Sequence, residues 1–481
     1  MNTRHRWLLA LLAILSLLLA ACGGAPPAAE QPTASASSGQ AAPTNAPAPT
    51  AAPSAAPAAE PTAAPAPTTV AEPAQSGGGQ KIRVWIVDWG ETAGQFASLL
   101  TAGAKSLGLE LELVQNVEYD KVLAAIQGGD PPELIVPGGA DNIGTYAREG
   151  LVMPLDDLIA KGGVDMNDVV PGSLGVCRYY GKLYCLPWGT DAYALYWNKD
   201  LFQQAGLDPE KPPQTLDELA EYAKKLNKTD KDGNLTQIGF IPDFEWSHTG
   251  DTYAQLFGAN FYNPDGTKIT IATDPMLQAI EWQKQFYVGP GVEKVERLKS
   301  GFGDAAQNGF NSGKIAMMLN GEWIPAAIKE SSPNLRYGVA PFPYPADHPE
   351  RKGQVVLGGT VVAIPANVKD VDLAWKMFSW MEQPQNVADV MVNNGNLPTS
   401  KKAATDPRFR EDPNLALFLD LASGPNAKGY IFTPINSELS DKFGKIEEQA
   451  IRGQISDVKD ELQKAQDELQ PMLDEAVKTQ K

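Results

Sequence analysis

The side chains able to do chemistry in this sequence are aromatic rings and carboxylates, while nucleophiles and metal ligands are scarce. The 481 residues hold only 3 His and 3 Cys. His248 and His348 lie far apart, each beside acidic or Pro-rich residues, so no zinc spacing forms and no metal is expected. The patterns H-E-x-x-H, G-x-S-x-G and G-x-x-x-x-G-K-[ST] are absent, and no motif calls for a cofactor. Gly309 to Lys314 (GFNSGK) is one residue short of a phosphate loop. Asp230-Lys231-Asp232-Gly233-Asn234 lacks the later ligands of a calcium loop and reads as a turn. Ser456 and Lys459 have Ser-x-x-K spacing on a strongly polar helix, which reads as a solvated face. A carboxylate pair for glycoside hydrolysis stays open, because such pairs assemble in space. What remains is a set of rings at loop-like positions: Trp89, Trp188, Tyr193, Trp246, Trp282 and Trp323. Ring faces stack on the apolar faces of sugars, and neighbouring Asp, Glu and Asn accept hydrogen bonds from hydroxyls. Trp85, Trp197, Trp375 and Trp380 sit inside apolar runs and are expected in the core.

A folded body must carry these rings. Hydrophobic residues make up 43%, enough for a large core, and the length predicts two or three domains or two lobes of one. A net charge of −18 argues against nucleic acid, whose phosphates need a basic surface. The first 80 residues follow other rules. Arg4 and Arg6 precede an apolar stretch from Trp7 to Leu19, too short to span a bilayer, which fits a secretory signal peptide over 1–21. Leu19-Ala20-Ala21-Cys22 resembles the bacterial lipobox and would make Cys22 a lipidated first residue; an ordinary signal peptide or an uncleaved anchor is the other reading. Residues 23–80 contain 12 Pro, 20 Ala and no aromatic, so 22–80 is expected to be the lipidated Cys and a disordered tether.

From Lys81 the pattern changes. Ile82 to Val87 reads as a buried strand, Ala93 to Leu107 as a helix, and Leu109 to Leu113 as an alternating strand. Tyr119, Val122, Leu123 and Ile126 mark a second helix, and Leu134 to Val136 a third strand. This order predicts an α/β fold with a parallel sheet. Its ligand should sit beyond the strand carboxyl ends, near loops 88–91 and 138–142. Cys177 and Cys185 are equidistant from Gly181. A hairpin turning there puts them on directly opposed residues and predicts a cross-strand disulfide in an oxidising compartment, the alternative being two reduced thiols.

A familiar series of segments then follows. Tyr180-Gly181-Lys182-Leu183-Tyr184 leads into Leu186-Pro187-Trp188, Ala194 to Phe202 (ALYWNKDLF), Ala205-Gly206-Leu207 and Pro213 to Leu219 (PQTLDEL). Later come Phe310-x-x-Gly313-Lys314-Ile315-Ala316-Met317, Gly321-Glu322-Trp323, Tyr337 to Pro343 (YGVAPFP), Gly358-Gly359 and Gly395-Asn396-Leu397-Pro398. Across 81–481 the chain resembles the extracellular solute-binding proteins of family 1, the maltose-binding-like receptors of ABC importers. The resemblance implies a two-lobed periplasmic-binding-protein fold of type II, hinged, each lobe a central β-sheet flanked by helices. Lobe 1 would comprise 81–190 with 340–398, and lobe 2 191–339 with 399–481. The chain would cross near Trp188–Tyr196, return near Tyr337–Pro343 and cross again near Asn396–Ser400.

It also implies a binding function rather than catalysis: a monomeric receptor on the extracytoplasmic face of a bacterial membrane, held by its lipid anchor. It would capture a small solute, a mono- or oligosaccharide first, and deliver it to the permease subunits. A polyamine, glycerol phosphate or other solute remains open, as do a glycoside-acting enzyme and a surface adhesin. By position, the expected ligand-binding residues are Trp89, Glu91, Asp141, Trp188, Asp191, Tyr193, Trp246, Glu322, Trp323 and Thr360. The acidic stretch 441–481 is expected to form amphipathic helices packed on lobe 2, a coiled-coil interface with a partner being the alternative.

Overall fold

The computed structural model describes residues 79–478 except 88–92, 138–139, 141–142, 180, 244–249 and 303–306. The readings made for the signal peptide, Cys22 and the tether up to residue 78 lie outside the described residues. Among the described residues no helix is long and apolar enough to cross a membrane.

The body opens with a parallel sheet of three strands, β1 (Lys81–Val87), β2 (Glu110–Val117) and β3 (Leu134–Val136), in the order β2-β1-β3. Its central strand buries Ile82, Val84 and Ile86 completely. The helices Ala93–Leu107 and Tyr119–Gln127 supply the crossovers that parallel pairing requires. An antiparallel bridge from Ile135 to Ala363 continues this sheet with chain from much later in the sequence.

A hairpin follows, β4 (Arg178–Tyr179) against β5 (Lys182–Leu183). Arg178 faces Leu183 and Tyr179 faces Lys182, leaving only residues 180 and 181 for the turn. Gly181, at φ 76°, supplies the left-handed conformation this turn needs. That register corrects the expectation of directly opposed cysteines. Cys177 lies opposite Tyr184, whose N–H donates to the Cys177 carbonyl at 3.0 Å. Cys185 is one residue further along, yet the two cysteines are paired in a buried S–S bridge with Cα atoms 5.0 Å apart.

Beyond β6 (Leu186–Pro187) and β7 (Gly189–Thr190), a second, mixed sheet forms from β8 (Tyr193–Asn198), β9 (Lys228–Thr229), β10 (Leu235–Phe240), β11 (Ile315–Gly321) and β12 (Tyr337–Ala340). The order is β12-β8-β11-β10-β9, with β8 antiparallel to both neighbours and β10 parallel to β11. Strand β8 shows why its run is apolar throughout. Ala194 and Tyr196 enter one core, while Leu195 and Trp197 enter another on the opposite face, so both faces of the sheet are covered.

Tyr337 to Pro343 does not return the chain to the first sheet. Strand β12 is the edge of the second sheet, Phe342 packs with Phe240 and Tyr253, and Tyr344 bridges to Thr215. The return comes about twenty residues later, through β13 (Val355–Leu357) and β14 (Val361–Val362), the latter paired antiparallel with β6. A boundary at residue 340 is therefore too early. Strand β15 (Leu397–Pro398) then pairs with β7, and β16 (Ala427–Gly429) runs parallel to β13. After β15 the chain still touches earlier segments: Lys402 reaches Asp165 at 2.8 Å, and Arg408 pairs with Asp389 of the helix Pro384–Asn394 at 2.7 Å. The acidic C-terminal stretch folds into helices Asn436–Ile451 and Val458–Lys478. The first packs against both the second and the helix Asp274–Val288. Leu462, Ala465, Leu469, Leu473 and Ala476 form the buried stripe of the second, at helical spacing.

Candidate functional site

The residues between β6 and β8 run between two other connecting segments, and backbone pairing fixes all three. The Trp188 N–H donates to the Thr360 carbonyl at 2.8 Å. Asp191 and Gly358 exchange backbone hydrogen bonds at 3.4 and 3.2 Å. From the other side the Thr399 hydroxyl donates to the carbonyls of Pro187 and Trp188, at 2.6 and 3.0 Å. Such close approach needs glycine. A Cβ on Gly359, whose φ is 148°, would lie 2.2 Å from the Gly189 carbonyl oxygen.

Against this crossing stands the end of β11. Glu322 is 2% exposed, and both its oxygens are used: Oε2 accepts the Ala192 N–H at 3.0 Å and Oε1 accepts the Asn396 amide at 3.2 Å. It thus ties the start of β8, the end of β11 and the approach to β15 together. Burial, with the Asp191 charge adding to it, holds the Glu322 carboxyl well above the usual carboxylate range. Burial likewise pushes Asp191 up to about 6. Neither carboxylate has a basic partner among the described residues. Next to Glu322, the Trp323 ring leans on Gly321, where an added Cβ would fall 2.0 Å from the indole. Tyr193 meets it edge-on, with ring centroids 5.8 Å apart and planes at 85°. Tyr196 locks the same turn from beneath, donating to the Gly321 carbonyl at 2.6 Å.

The structure therefore brings Asp191, Tyr193, Glu322 and Trp323 together, with Thr360 on the neighbouring segment. Trp89, Glu91, Asp141 and Trp246 lie outside the described residues. Trp188 is not displayed on a loop: it is fully buried, its ring 4.7 Å from that of Phe96. Trp282 is a helix residue in the second core, packed on Phe240, Tyr253 and Phe286. Its Gly/Pro-free surroundings, with apolar residues three and four positions away, were the signal for that. Asn396 and Thr399 act at the crossing but carried no chemical signal beyond lying next to a Gly-Asn-Leu-Pro turn. Among the described residues no three His, Cys, Asp or Glu side chains approach closely enough to hold a metal ion.

Residues 101–417 match the family model described as bacterial extracellular solute-binding protein. A putative binding protein of Brucella abortus is 28% identical over 385 residues, covering 76% of this chain and 87% of its own. The sn-glycerol-3-phosphate-binding periplasmic protein UgpB of Escherichia coli K12 is 26% identical over 304 residues, covering 58% of this chain and 64% of its own. Among solved structures, CpMnBP1 with mannobiose bound is similar at a TM-score of 0.73 and 26% identity, over 81% of this chain and 100% of that one. The solved structures this chain resembles are two-lobed α/β binding proteins.

Proposed function

The chain belongs to the family of bacterial extracellular solute-binding proteins, and from that premise we propose that it is the lipid-anchored receptor of an ABC importer for a mono- or oligosaccharide. The observation that carries the sugar reading is the Tyr193–Trp323 pair, set beside the Asp191 carboxylate and Thr360. Rings offer stacking surface, and the oxygens accept hydrogen bonds from hydroxyls. The mannobiose held by CpMnBP1 supports it. Two lobes, one around each sheet, would close over the solute, which shifts the open–closed equilibrium by its greater affinity for the closed form. The three paired segments at 186–191, 355–362 and 396–399 are the proposed hinge. The permease would read the closed shape, and a single chain supplies both walls of the cleft. Trp89, Glu91, Asp141 and Trp246 stay in the proposal as ligand-binding residues.

One observation favours a second reading. The half-buried Asp191 carboxylate has no basic partner among the described residues, and would repel a phosphate and accept a cationic solute. Titration with mannobiose, mannotriose, maltose, spermidine and sn-glycerol 3-phosphate separates these classes. Recovery of the bound sugar intact supports a receptor, whereas cleavage products would support an enzyme. A protein that no small molecule stabilises would fit an adhesin instead. For the anchor, C22S is expected to release the protein from the membrane fraction, with loss of the lipid mass from its N-terminal peptide. Retention of the variant on the membrane would contradict the lipobox reading.

A further inference from the structure

Apart from the crossing, a cavity of about 350 Å³ is walled by the loop 163–169, the junction Glu382-Gln383-Pro384 between two helices, and the turn 400–402 after β15. Its carboxylates are not alike. Asp168 is buried and engaged, accepting from the Ser400 hydroxyl and, at 2.8 Å, from the Lys402 N–H. Asp165 sits at the exposed rim, paired with the Lys402 ammonium at 2.8 Å. The Glu382 carboxyl lines the same cavity, but Oε1 is shielded from solvent and meets no donor. Burial, reinforced by the Asp168 charge, pushes this carboxyl up to about 8. Val164, Val169 and Pro384 make the remaining wall apolar. A shielded carboxyl with no donor, a second carboxylate nearby and aliphatic walls complement a cation carried on a hydrocarbon arm. A bare metal ion fits less well, since the acidic groups do not converge at ligating distance.

We propose that this cavity is a second binding site, taking an alkylammonium or guanidinium group between Glu382 and Asp168. The cation supplies the donor that Glu382 lacks and displaces its proton. The groups facing Glu382 are Asp165 and Asp168 from the loop, with Lys402 from the turn; Lys401 is turned to the Asn167 carbonyl. The pH response is assigned to Glu382, whose carboxyl burial raises. Raising the pH ionises it and tightens binding.

Calorimetry on the full chain tests this with two probes, agmatine and the peptide Gly-Gly-Arg-Gly-Gly amide. At least one is expected to bind roughly tenfold tighter at pH 8.5 than at 6.5, with net proton release to the buffer. In E382Q that affinity falls at least about tenfold, while saccharide binding is unchanged. Tighter agmatine points to a free solute as the source of the cation, and a tighter peptide to a side chain of a partner protein. Proton release is read on the unmodified chain, so the test does not depend on the variant. No binding of either probe, or equal binding by E382Q, or no pH dependence, overturns the proposal.

Discussion

At the scale of single residues, the account rests on Trp323. Its ring has a fixed place because Gly321 has no side chain and Tyr193 meets its surface edge-on. Truncating a central aromatic in an interface costs about 2 kcal/mol, roughly thirtyfold in affinity. W323A is therefore expected to weaken saccharide binding by about that factor, read by calorimetry, with the fold retained. Asp191 gives a second expectation, in pH. Its carboxyl is raised to about 6 in the native chain, above the ordinary carboxylate value near 4. The native state thus holds the proton more tightly than the unfolded state. Stability falls as pH rises from about 4 through 6, then stays level. D191N should raise the melting temperature at pH 7.5 and leave it nearly unchanged at pH 4. An equal rise at both values would contradict the raised carboxyl.

At the scale of elements, Glu322 acts as a staple. It was expected among ligand residues from its place beside Trp323, yet both oxygens are spent on Ala192 and Asn396. E322A leaves the buried Ala192 N–H and the half-buried Asn396 amide unmatched, at about 1–3 kcal/mol. E322Q can recover the pattern, because the Asn396 amide can turn its oxygen toward the new donor. Denaturant unfolding of the two variants is expected to separate them, and equal losses would count against the staple. The Cys177–Cys185 bridge closes a short loop, worth about 2.5 kcal/mol by chain entropy. C185S should lose stability on that scale, and alkylation of the unreduced wild type should add no mass at either Cys. How far the elements were legible depends on what held them. Ala93–Leu107 and Leu134–Val136 were readable because their burial pattern is local, of period 3.6 or continuous. The return of the chain was not, because β12 is held by β8, some 140 residues earlier, and nothing in Tyr-Gly-Val-Ala announces that partner. The hairpin was predicted, but its register was off by one. Symmetry about Gly181 suggested a turn centred on that residue, whereas the ladder leaves two residues for it.

At the scale of the whole molecule, two sheets of different topology are joined by three short segments that pair with one another. Backbone pairing there keeps the segments in register while leaving few side chains to repack, which suits a hinge. The α/β class could be read from sequence order, whereas the crossing near Trp188 came from the family resemblance, with the prolines there only in partial agreement. The candidate stacking rings could be read only as a set. Burial divides that set, sending Trp188 and Trp282 into cores and leaving Trp323 with Tyr193 at the crossing. The central claim is that a saccharide binds here unchanged. Calorimetric titration of the folded chain with mannobiose, mannotriose and maltose tests it most directly. The account predicts one-to-one binding of at least one of them, abolished or greatly weakened in W323A, with the sugar recovered intact. No heat from any saccharide, alongside saturable binding of spermidine or sn-glycerol 3-phosphate, would contradict it.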